Sequence, residues 1–148
     1  MAIFTGSGVA IITPFHEDGS INFDHLGALI NFQLANNTDA IIIAGTTGEA
    51  STMTDEEQVA VVKYTVDRVN GRIPVIAGAG SNDTRHGIRL AKMCEEAGVD
   101  GLLLVTPYYN KTSQRGLYQH FKVTAEAVSI PIILYNVPGR TNLTIQPD

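Results

Sequence analysis

The sequence predicts an α/β fold in which parallel strands alternate with helices. Five short apolar runs recur along the chain, and a repeat of about 30 residues matches the length of a βα unit. None of the runs alternates strictly with polar residues, which is typical of parallel strands covered on both faces. Segments with helical spacing of apolar residues lie between them. The runs occupy residues 7–14, 40–45, 73–80, 101–107 and 130–138.

The first two units each pair an apolar run with an amphipathic helix. After the run that ends at Pro14, residues 22–37 carry apolar side chains three to four positions apart, so that they share one helix face. After the second run, Thr54 and Glu57 form a capping box, in which each side chain bonds to the other residue's backbone N–H. The side chains predicted to face the core from these two helices are Leu26, Leu29, Ile30, Leu34, Val59, Val62, Val66 and Val69.

The third and fourth helices are predicted from their end signals. Asn82 and Asp83 precede RHGIRLAKMCEEAG as capping residues, and Gly98 suits the left-handed position that closes a helix. Ser113 is the predicted cap of GLYQHFKVTAEAV. No linker interrupts the pattern, so residues 1–148 are predicted to form one domain. An open doubly wound sheet and part of a (βα)8 barrel both fit this element order.

Composition excludes several classes of function. Apolar residues make up 44% of the 148 residues and charged residues 17%, as in ordinary globular domains. The net charge is −5 and no Lys/Arg block occurs, so neither nucleic acid nor a membrane is an expected partner. No run approaches the roughly 18 apolar residues of a membrane span, and we expect a cytoplasmic protein. The scattered histidines predict no metal site. No cofactor is expected either, and Cys94 is interpreted as a packing residue.

Polar residues collect at the carboxyl ends of the predicted strands, which is where ligands bind in both architectures. The opposite strand ends carry ordinary turns such as AGVD and NGRI. The asymmetry predicts a functional site on this rim. The five strand ends read TP at 13–14, GTTGE at 45–49, GAGSN at 78–82, TPYYN at 106–110 and YNVPGR at 135–140.

The Gly-Thr-Thr-Gly turn at 45–48 has two interpretations. It is either a structural turn or an anion site, because backbone N–H groups beside the hydroxyls of Thr46 and Thr47 can bind an anion. It is not a phosphate-binding P-loop, since no Gly-Lys-Ser/Thr follows it. Glu49, at the end of the turn, is interpreted as a structural residue.

Three other rim residues are also candidates for a functional role. Tyr135 is either a core aromatic residue or a proton carrier oriented by a hydroxyl such as that of Thr46. Arg140 is either an ordinary surface residue or a bidentate partner of a carboxylate. Tyr109, next to Tyr108 on a loop, suggests a contact surface with another subunit.

These motifs, in this order, resemble the dihydrodipicolinate synthase family, within the class I aldolase superfamily that includes N-acetylneuraminate lyase. The resemblance runs through FTGSGVAIITPF, GTTGE, IPVIAGAGSN, TPYYNKTSQRGLYQHF and ILYNVPGRT and covers essentially the whole chain. It implies a (βα)8 barrel, of which this chain supplies strands one to five. It also implies 4-hydroxy-tetrahydrodipicolinate synthase activity in lysine and diaminopimelate biosynthesis. Pyruvate forms a Schiff base with a lysine, and the enamine attacks L-aspartate-4-semialdehyde.

The resemblance also implies roles for individual residues. Thr46, Tyr135 and Tyr109 resemble the proton-relay triad of the family, in which Tyr109 reaches the site of a neighbouring subunit. The implied assembly is a homotetramer built from tight dimers. Thr46 and Thr47 would hold the pyruvate carboxylate, and Arg140 would receive the carboxylate of the semialdehyde.

The chain departs from the family pattern at a few positions. Thr112 stands where the family's loop often carries proline. Asp55, Gln58 and His86 occupy positions where lysine-inhibited relatives carry histidine and glutamate, so we expect weak or no feedback inhibition by L-lysine.

No lysine of the sequence suits the Schiff-base nucleophile, which needs burial to lower its pKa. Three lie on predicted outer helices and one on a polar loop, and the family's nucleophile ends the sixth strand, beyond Asp148. The chain is therefore expected to be the N-terminal part of a barrel. The alternatives are another pyruvate-dependent aldolase or lyase, against which Arg140 argues, and an inert half-barrel module for assembly or folding. The four lysines are Lys63, Lys92, Lys111 and Lys122.

Overall fold

The computed structural model describes residues 2–147, which form one five-stranded parallel sheet with helices packed against it. The α/β class is confirmed. The strands are β1 (Gly8–Ala10), β2 (Ala40–Ile43), β3 (Val75–Gly78), β4 (Gly101–Val105) and β5 (Ile132–Tyr135). The helices are α1 (Phe23–Ala35), α2 (Asp55–Val69), α3 (Thr84–Glu96), α4 (Gln114–Ala125) and the one-turn α5 (Pro138–Thr141), with a 3-10 turn at Ala50–Thr52.

The strand order distinguishes between the two architectures that the sequence left open. A doubly wound sheet reverses its strand order at a switch point. Here the order runs β1-β2-β3-β4-β5, and every neighbouring pair is parallel. The helices also pack in sequence, α1 on α2, α2 on α3 and α3 on α4. This is the arrangement of a (βα)8 barrel, of which the five strands form a half-barrel.

The core lies between the sheet and its layer of helices. Alternate strand residues, among them Ile41, Ile43, Leu102 and Leu104, join a core cluster with Leu26, Ile30, Val61, Val62, Leu90 and Leu117. The residues between them in sequence, such as Ile42 and Leu103, therefore point to the opposite face of the sheet. That second face is the inner surface of the half-barrel.

The predicted helix ends are confirmed. At α2, Glu57 N donates to Thr54 Oγ1 at 3.2 Å and Thr54 N donates to Glu57 Oε2 at 2.8 Å, which completes the capping box. Asp83 accepts from two backbone N–H groups at the start of α3, and Ser113 accepts from one at the start of α4. Gly98 has a φ of 91° just after α3, a conformation that costs glycine little. Each cap was predictable because it depends on residues within four positions of one another.

Two predictions about the elements are corrected. The buried face of α2 also contains Val61 and Thr65, which were not predicted, whereas the predicted Val59 and Val66 pack against the core but are only partly buried. Thr65 tolerates burial because its hydroxyl donates to Val61 O at 2.8 Å. The first apolar run, 7–14, forms a strand only over Gly8–Ala10. Beyond the strand, Ile11 N still donates to Ile42 O at 3.1 Å, and Thr13 bonds through its side chain to Gly48 O.

No helix among the described residues is long and apolar enough to cross a membrane. The exposed apolar side chains instead mark surfaces that this half-barrel leaves uncovered. Leu134 on the edge strand β5 is 47% exposed, and Ile12 just beyond β1 is 52% exposed.

Candidate active site

A cavity of about 710 Å³ lies at the carboxyl ends of β2 to β5, on the rim where the sequence predicted a site. Its lining combines apolar strand residues, such as Leu103 and Val105, with polar residues from the loops that follow the strands. Thr46, Tyr135 and Arg140 are among these polar residues. Three separately predicted residues thus share one cavity.

The Gly-Thr-Thr-Gly turn is held from three sides. Within it, Glu49 N donates to Thr46 O at 3.1 Å. Thr13 Oγ1, after β1, donates to Gly48 O at 2.7 Å. The buried Gln58 of α2 donates to Ala50 O at 3.0 Å. The backbone of the turn and of the residues just after it is therefore positioned by neighbouring elements as well as by its own sequence.

Both threonines of the turn keep their hydroxyls available. Thr46 and Thr47 are exposed, and no side-chain hydrogen bond engages either of them within residues 2–147. Only Thr46 lines the cavity, and Thr47 lies beside it in sequence. Glu49 has a φ of 55°, the left-handed conformation that non-glycine residues seldom adopt. Such strain is retained where the surrounding structure fixes it, often at a site.

Close packing of neighbouring strands shapes the floor of the cavity. A side chain at Gly78, the last residue of β3, would overlap the carbonyl of Ala44 at the end of β2. Glycine is thus required here by the approach of two backbones. The cavity reaches down to the strand ends because this position carries no side chain.

Tyr135 ends β5 and is partly buried. Its carbonyl accepts from Thr106 N at 3.2 Å, so its backbone is fixed to the neighbouring strand. Among the described residues no hydrogen bond joins the Tyr135 hydroxyl to that of Thr46, although both residues line the cavity. The hydroxyl link between them stays a prediction.

Arg140 lies on α5, directly after β5. It is exposed at the cavity, and no described residue forms an ion pair with its guanidinium. An unpaired arginine at a cavity whose lining contains no lysine and no other arginine is suited to bind a ligand anion. The short helix holds it there through Thr141, which is buried.

The structure does not bring Tyr109 into the cavity of its own chain. Tyr109 is 96% exposed and has a φ of 68°, whereas its neighbour Tyr108 lines the cavity. The sequence predicted that this pair contacts another subunit. The exposure of Tyr109 is compatible with that prediction but does not test it.

A charged cluster borders the cavity and extends beyond the predicted residues. Asp55 accepts from His86 Nε2 and Arg89 Nη2, each at 2.7 Å, and the ring of His86 also contacts Ser81 Oγ at 2.9 Å. The hydrogen bond from His86, followed by that from Arg89, lowers the pKa of Asp55. Sequence reasoning missed Arg89, although its spacing of three residues from His86 on α3 placed the two on one helix face.

The remaining candidates for chemistry lie elsewhere. All four lysines are exposed, three of them on the helices α2, α3 and α4, and Lys111 on the loop before α4. Burial raises the pKa of the Cys94 thiol to about 12, which suits a packing role. Over residues 2–147 no three His, Cys, Asp or Glu side chains are grouped so as to hold a metal ion.

A sequential parallel half-barrel with a partly polar cavity at its strand ends defines the chain as part of a (βα)8-barrel protein, a class that carries its chemistry on this rim. Comparison with known proteins identifies the family. The chain belongs to the Dihydrodipicolinate synthetase family, whose sequence profile matches residues 3–148. The predicted resemblance is thereby confirmed.

Individual relatives agree with this assignment. The chain is 66% identical over 145 residues to 4-hydroxy-tetrahydrodipicolinate synthase of Acetivibrio thermocellus. This alignment covers 98% of this chain and 49% of the relative. It is 62% identical over 147 residues to the enzyme of the same name from Clostridium tetani, covering 99% of this chain and 50% of the relative. The chain spans about half the length of the curated relatives it matches.

Solved structures show the same correspondence. Dihydrodipicolinate synthase from Aquifex aeolicus superposes with a TM-score of 0.93 at 53% identity, over 96% of this chain and 48% of that structure. The chloride-inhibited dihydrodipicolinate synthase from Acinetobacter baumannii, solved in complex with pyruvate, gives a TM-score of 0.93 at 51% identity. The match covers 95% of this chain and 48% of that structure. The half-barrel of this chain thus matches half of these structures.

Proposed function

We propose that residues 1–148 form the N-terminal half of a (βα)8 barrel with 4-hydroxy-tetrahydrodipicolinate synthase activity. The complete barrel denotes these residues continued by the three remaining βα units. The observation that supports the proposal most strongly is the shared cavity of Thr46, Tyr135 and Arg140 at the strand ends. The reaction joins pyruvate to L-aspartate-4-semialdehyde in lysine and diaminopimelate biosynthesis.

Pyruvate is bound by its carboxylate at the Gly-Thr-Thr-Gly turn. The exposed hydroxyls of Thr46 and Thr47 and the adjacent backbone N–H groups supply hydrogen-bond donors without a charged side chain. The rigid support of the turn by Thr13 and Gln58 keeps these donors in place before the substrate arrives. The turn therefore fixes the carbonyl carbon of pyruvate relative to the rim.

A lysine outside residues 1–148 forms the Schiff base with this carbonyl carbon. Tyr135 carries the protons that the step requires, because carbinolamine oxygen must leave as water and C3 of pyruvate must lose a proton to give the enamine. The hydroxyl of Thr46 orients that of Tyr135. Tyr109 of a neighbouring subunit extends this relay in a homotetramer of tight dimers, and the enzyme works in the cytoplasm without a cofactor.

Arg140 holds the second substrate. Its guanidinium grips the carboxylate of the semialdehyde with two hydrogen bonds and so directs the aldehyde carbon toward the enamine. A carboxylate is the matching ligand because Arg140 is exposed at the cavity and has no ion-pair partner among the described residues. A sugar-acid substrate would instead present hydroxyl groups at this position.

Borohydride reduction in the presence of pyruvate tests the proposal. The complete barrel is expected to gain one reduced pyruvate adduct by mass spectrometry, whereas residues 1–148 alone gain none, since all of their lysines are exposed. Tyr135→Phe should slow adduct formation in the complete barrel. The matched control is Tyr118→Phe, at an exposed tyrosine of α4. A complete barrel that gives no adduct, or an adduct on residues 1–148, would contradict the proposal.

A further inference from the structure

Two buried threonines connect the end of β4 to the short helix α5. Thr106 directly follows β4 and is 0% exposed, and Thr141 ends α5 and is 5% exposed. Thr106 Oγ1 donates to Thr141 Oγ1 at 3.0 Å across 35 residues of sequence. Tyr135, at the end of β5, and Arg140, next to Thr141 on α5, are assigned to the reaction above. Neither threonine has a role in it so far.

The hydroxyl of Thr141 uses its full hydrogen-bonding capacity. It accepts from Thr106 Oγ1 and, at 3.4 Å, from Leu143 N. Its own proton is directed to Val137 O at 3.2 Å or to Leu143 O at 3.1 Å. A hydroxyl has one donor and two acceptor positions, so none is left for a ligand or water. The hydroxyl of Thr141 therefore lies within hydrogen-bond distance of Val137 before α5, Leu143 after it and Thr106 at the end of β4.

This tie is needed because α5 cannot hold itself. Pro138–Thr141 is a single turn of four residues, and isolated turns of this length are unstable. The side chain of Arg140, on this turn, is exposed and has no ion-pair partner among the described residues. The position of the guanidinium thus depends on the anchoring of the neighbouring residue, Thr141.

Thr106 also fixes the other residue assigned to the reaction. Its backbone N donates to Tyr135 O at 3.2 Å, while its side chain bonds to Thr141. One buried residue therefore contacts both the strand end that carries Tyr135 and the helix that carries Arg140. The backbone that carries Tyr135 and the backbone that carries Arg140 are therefore held relative to each other through this residue.

We infer that Thr106 and Thr141 form a positioning clamp that sets the place of Arg140 relative to Tyr135 and thereby controls recognition of the carboxylate-bearing second substrate. The inference rests on the proposed function. Both threonines act through other residues and touch no substrate. The clamp acts mainly on Arg140, because the bond from Thr106 to Tyr135 uses the backbone and persists when the side chain changes.

The first test uses steady-state kinetics of the complete barrel. Thr141→Val and Thr106→Val should each raise KM for the semialdehyde about tenfold, with KM for pyruvate changed less than about twofold, because only the second substrate binds at Arg140. Thr141→Ser and Thr106→Ser keep the hydroxyl and should restore the wild-type value. The double valine variant should be no worse than Thr141→Val alone, since that variant already lacks the hydrogen bond between the two hydroxyls.

The matched control is Thr65→Val. Thr65 is equally buried, and its hydroxyl also bonds to a backbone carbonyl, but it lies on α2 and does not line the cavity. It should leave both KM values unchanged. If Thr141→Val changes KM for both substrates alike, or changes neither, the clamp does not select the second substrate and the inference is overturned.

Amide hydrogen exchange tests the clamp without any catalysis. Thr141→Val should speed exchange of the Arg140, Thr141 and Asn142 amides about tenfold, because the turn loses its anchor. Thr141→Ser and Thr65→Val should not. Absence of synthase activity in the wild-type barrel refutes the proposed function, whereas unchanged exchange in Thr141→Val refutes the clamp by itself.

Discussion

The guanidinium of Arg140 has no ion-pair partner among the described residues, so its contribution belongs to a ligand and can be measured by a conservative change. Arg140→Lys keeps the positive charge but loses the planar fork that bonds a carboxylate twice. In the complete barrel we expect KM for the semialdehyde to rise at least about tenfold, which corresponds to about 1.4 kcal/mol, while pyruvate adduct formation is unaffected. Steady-state kinetics with each substrate varied in turn provide the measurement.

Arg115→Lys serves as the control for this change. Arg115 is an exposed arginine of α4 that does not line the cavity, and its replacement should leave both KM values unchanged. Equal KM values for the semialdehyde in Arg140→Lys and the wild type would show that the fork is not used.

Asp55 gives a reason for the expected insensitivity to L-lysine. Its carboxylate already accepts hydrogen bonds from His86 and Arg89, so it is not free to pair with the ammonium groups of an added lysine. We expect saturating L-lysine to leave the initial rate of the complete barrel unchanged. Saturating L-leucine, which has no side-chain ammonium group, is the control. Strong inhibition by L-lysine alone would contradict this prediction.

The predictability of the site differs between its residues. The positions of Thr46, Tyr135 and Arg140 followed from one rule, that the carboxyl ends of parallel strands share a rim. The clamp of Thr106 and Thr141 could not be predicted in the same way, because it joins side chains 35 residues apart whose approach depends on the packing of β4 and α5. Only the three-dimensional structure shows that contact.

Helix α4 contacts α3 through a titratable residue, His120. His120 is 9% exposed, and its Nδ1 lies 2.8 Å from Thr84 Oγ1 at the start of α3. Burial lowers the pKa of His120 from its ordinary value of 6.5. As the pH falls below 6.5, the unfolded chain therefore takes up the proton first. The folded state loses stability as the pH falls from 6.5 toward the lower pKa of His120 in the folded state.

His120→Gln should reduce this pH dependence. We expect Tm of the wild-type complete barrel to fall between about pH 7.5 and about pH 5 more than Tm of the variant, because the glutamine does not titrate. Thermal unfolding followed by circular dichroism at the two pH values provides the measurement. His25→Gln, at an exposed histidine of α1, is the control, and an effect as large as that of His120→Gln would show that burial is not the cause.

Helix limits were more predictable than helix faces. The capping box of Thr54 and Glu57 was read correctly because all its bonds lie within one turn. The buried face of α2 was predicted only in part: Val62 and Val69 are buried as expected, but the prediction omitted the buried Thr65 because its side chain is polar. Thr65 satisfies its hydroxyl within the helix, which makes its burial inexpensive and removes the polar signal on which the prediction relied.

The five-stranded sheet has two open edges among the described residues, at β1 and β5, where N–H and C=O groups face no partner strand. Unpaired edges with apolar neighbours favour association with another chain. Leu134 on β5 is 47% exposed, and the inner face of the half-barrel presents further apolar side chains such as Ile12. Residues 1–148 taken alone therefore expose surfaces that a barrel would cover.

We expect residues 1–148, expressed alone, to self-associate or to bind a complementary half-barrel in preference to remaining a monomer. Size-exclusion chromatography with light scattering is expected to show a mass above that of one chain, and addition of the remaining three βα units should convert it to a one-to-one complex. Leu134→Lys should weaken both associations, because it places a charge at the edge of β5. Ala60→Lys is the control, since Ala60 is exposed on α2, which packs between α1 and α3 and follows neither edge strand. A monodisperse monomer with sharp amide NMR signals would show that the edges are satisfied within the single chain, and the half-barrel would then be a stable unit in its own right.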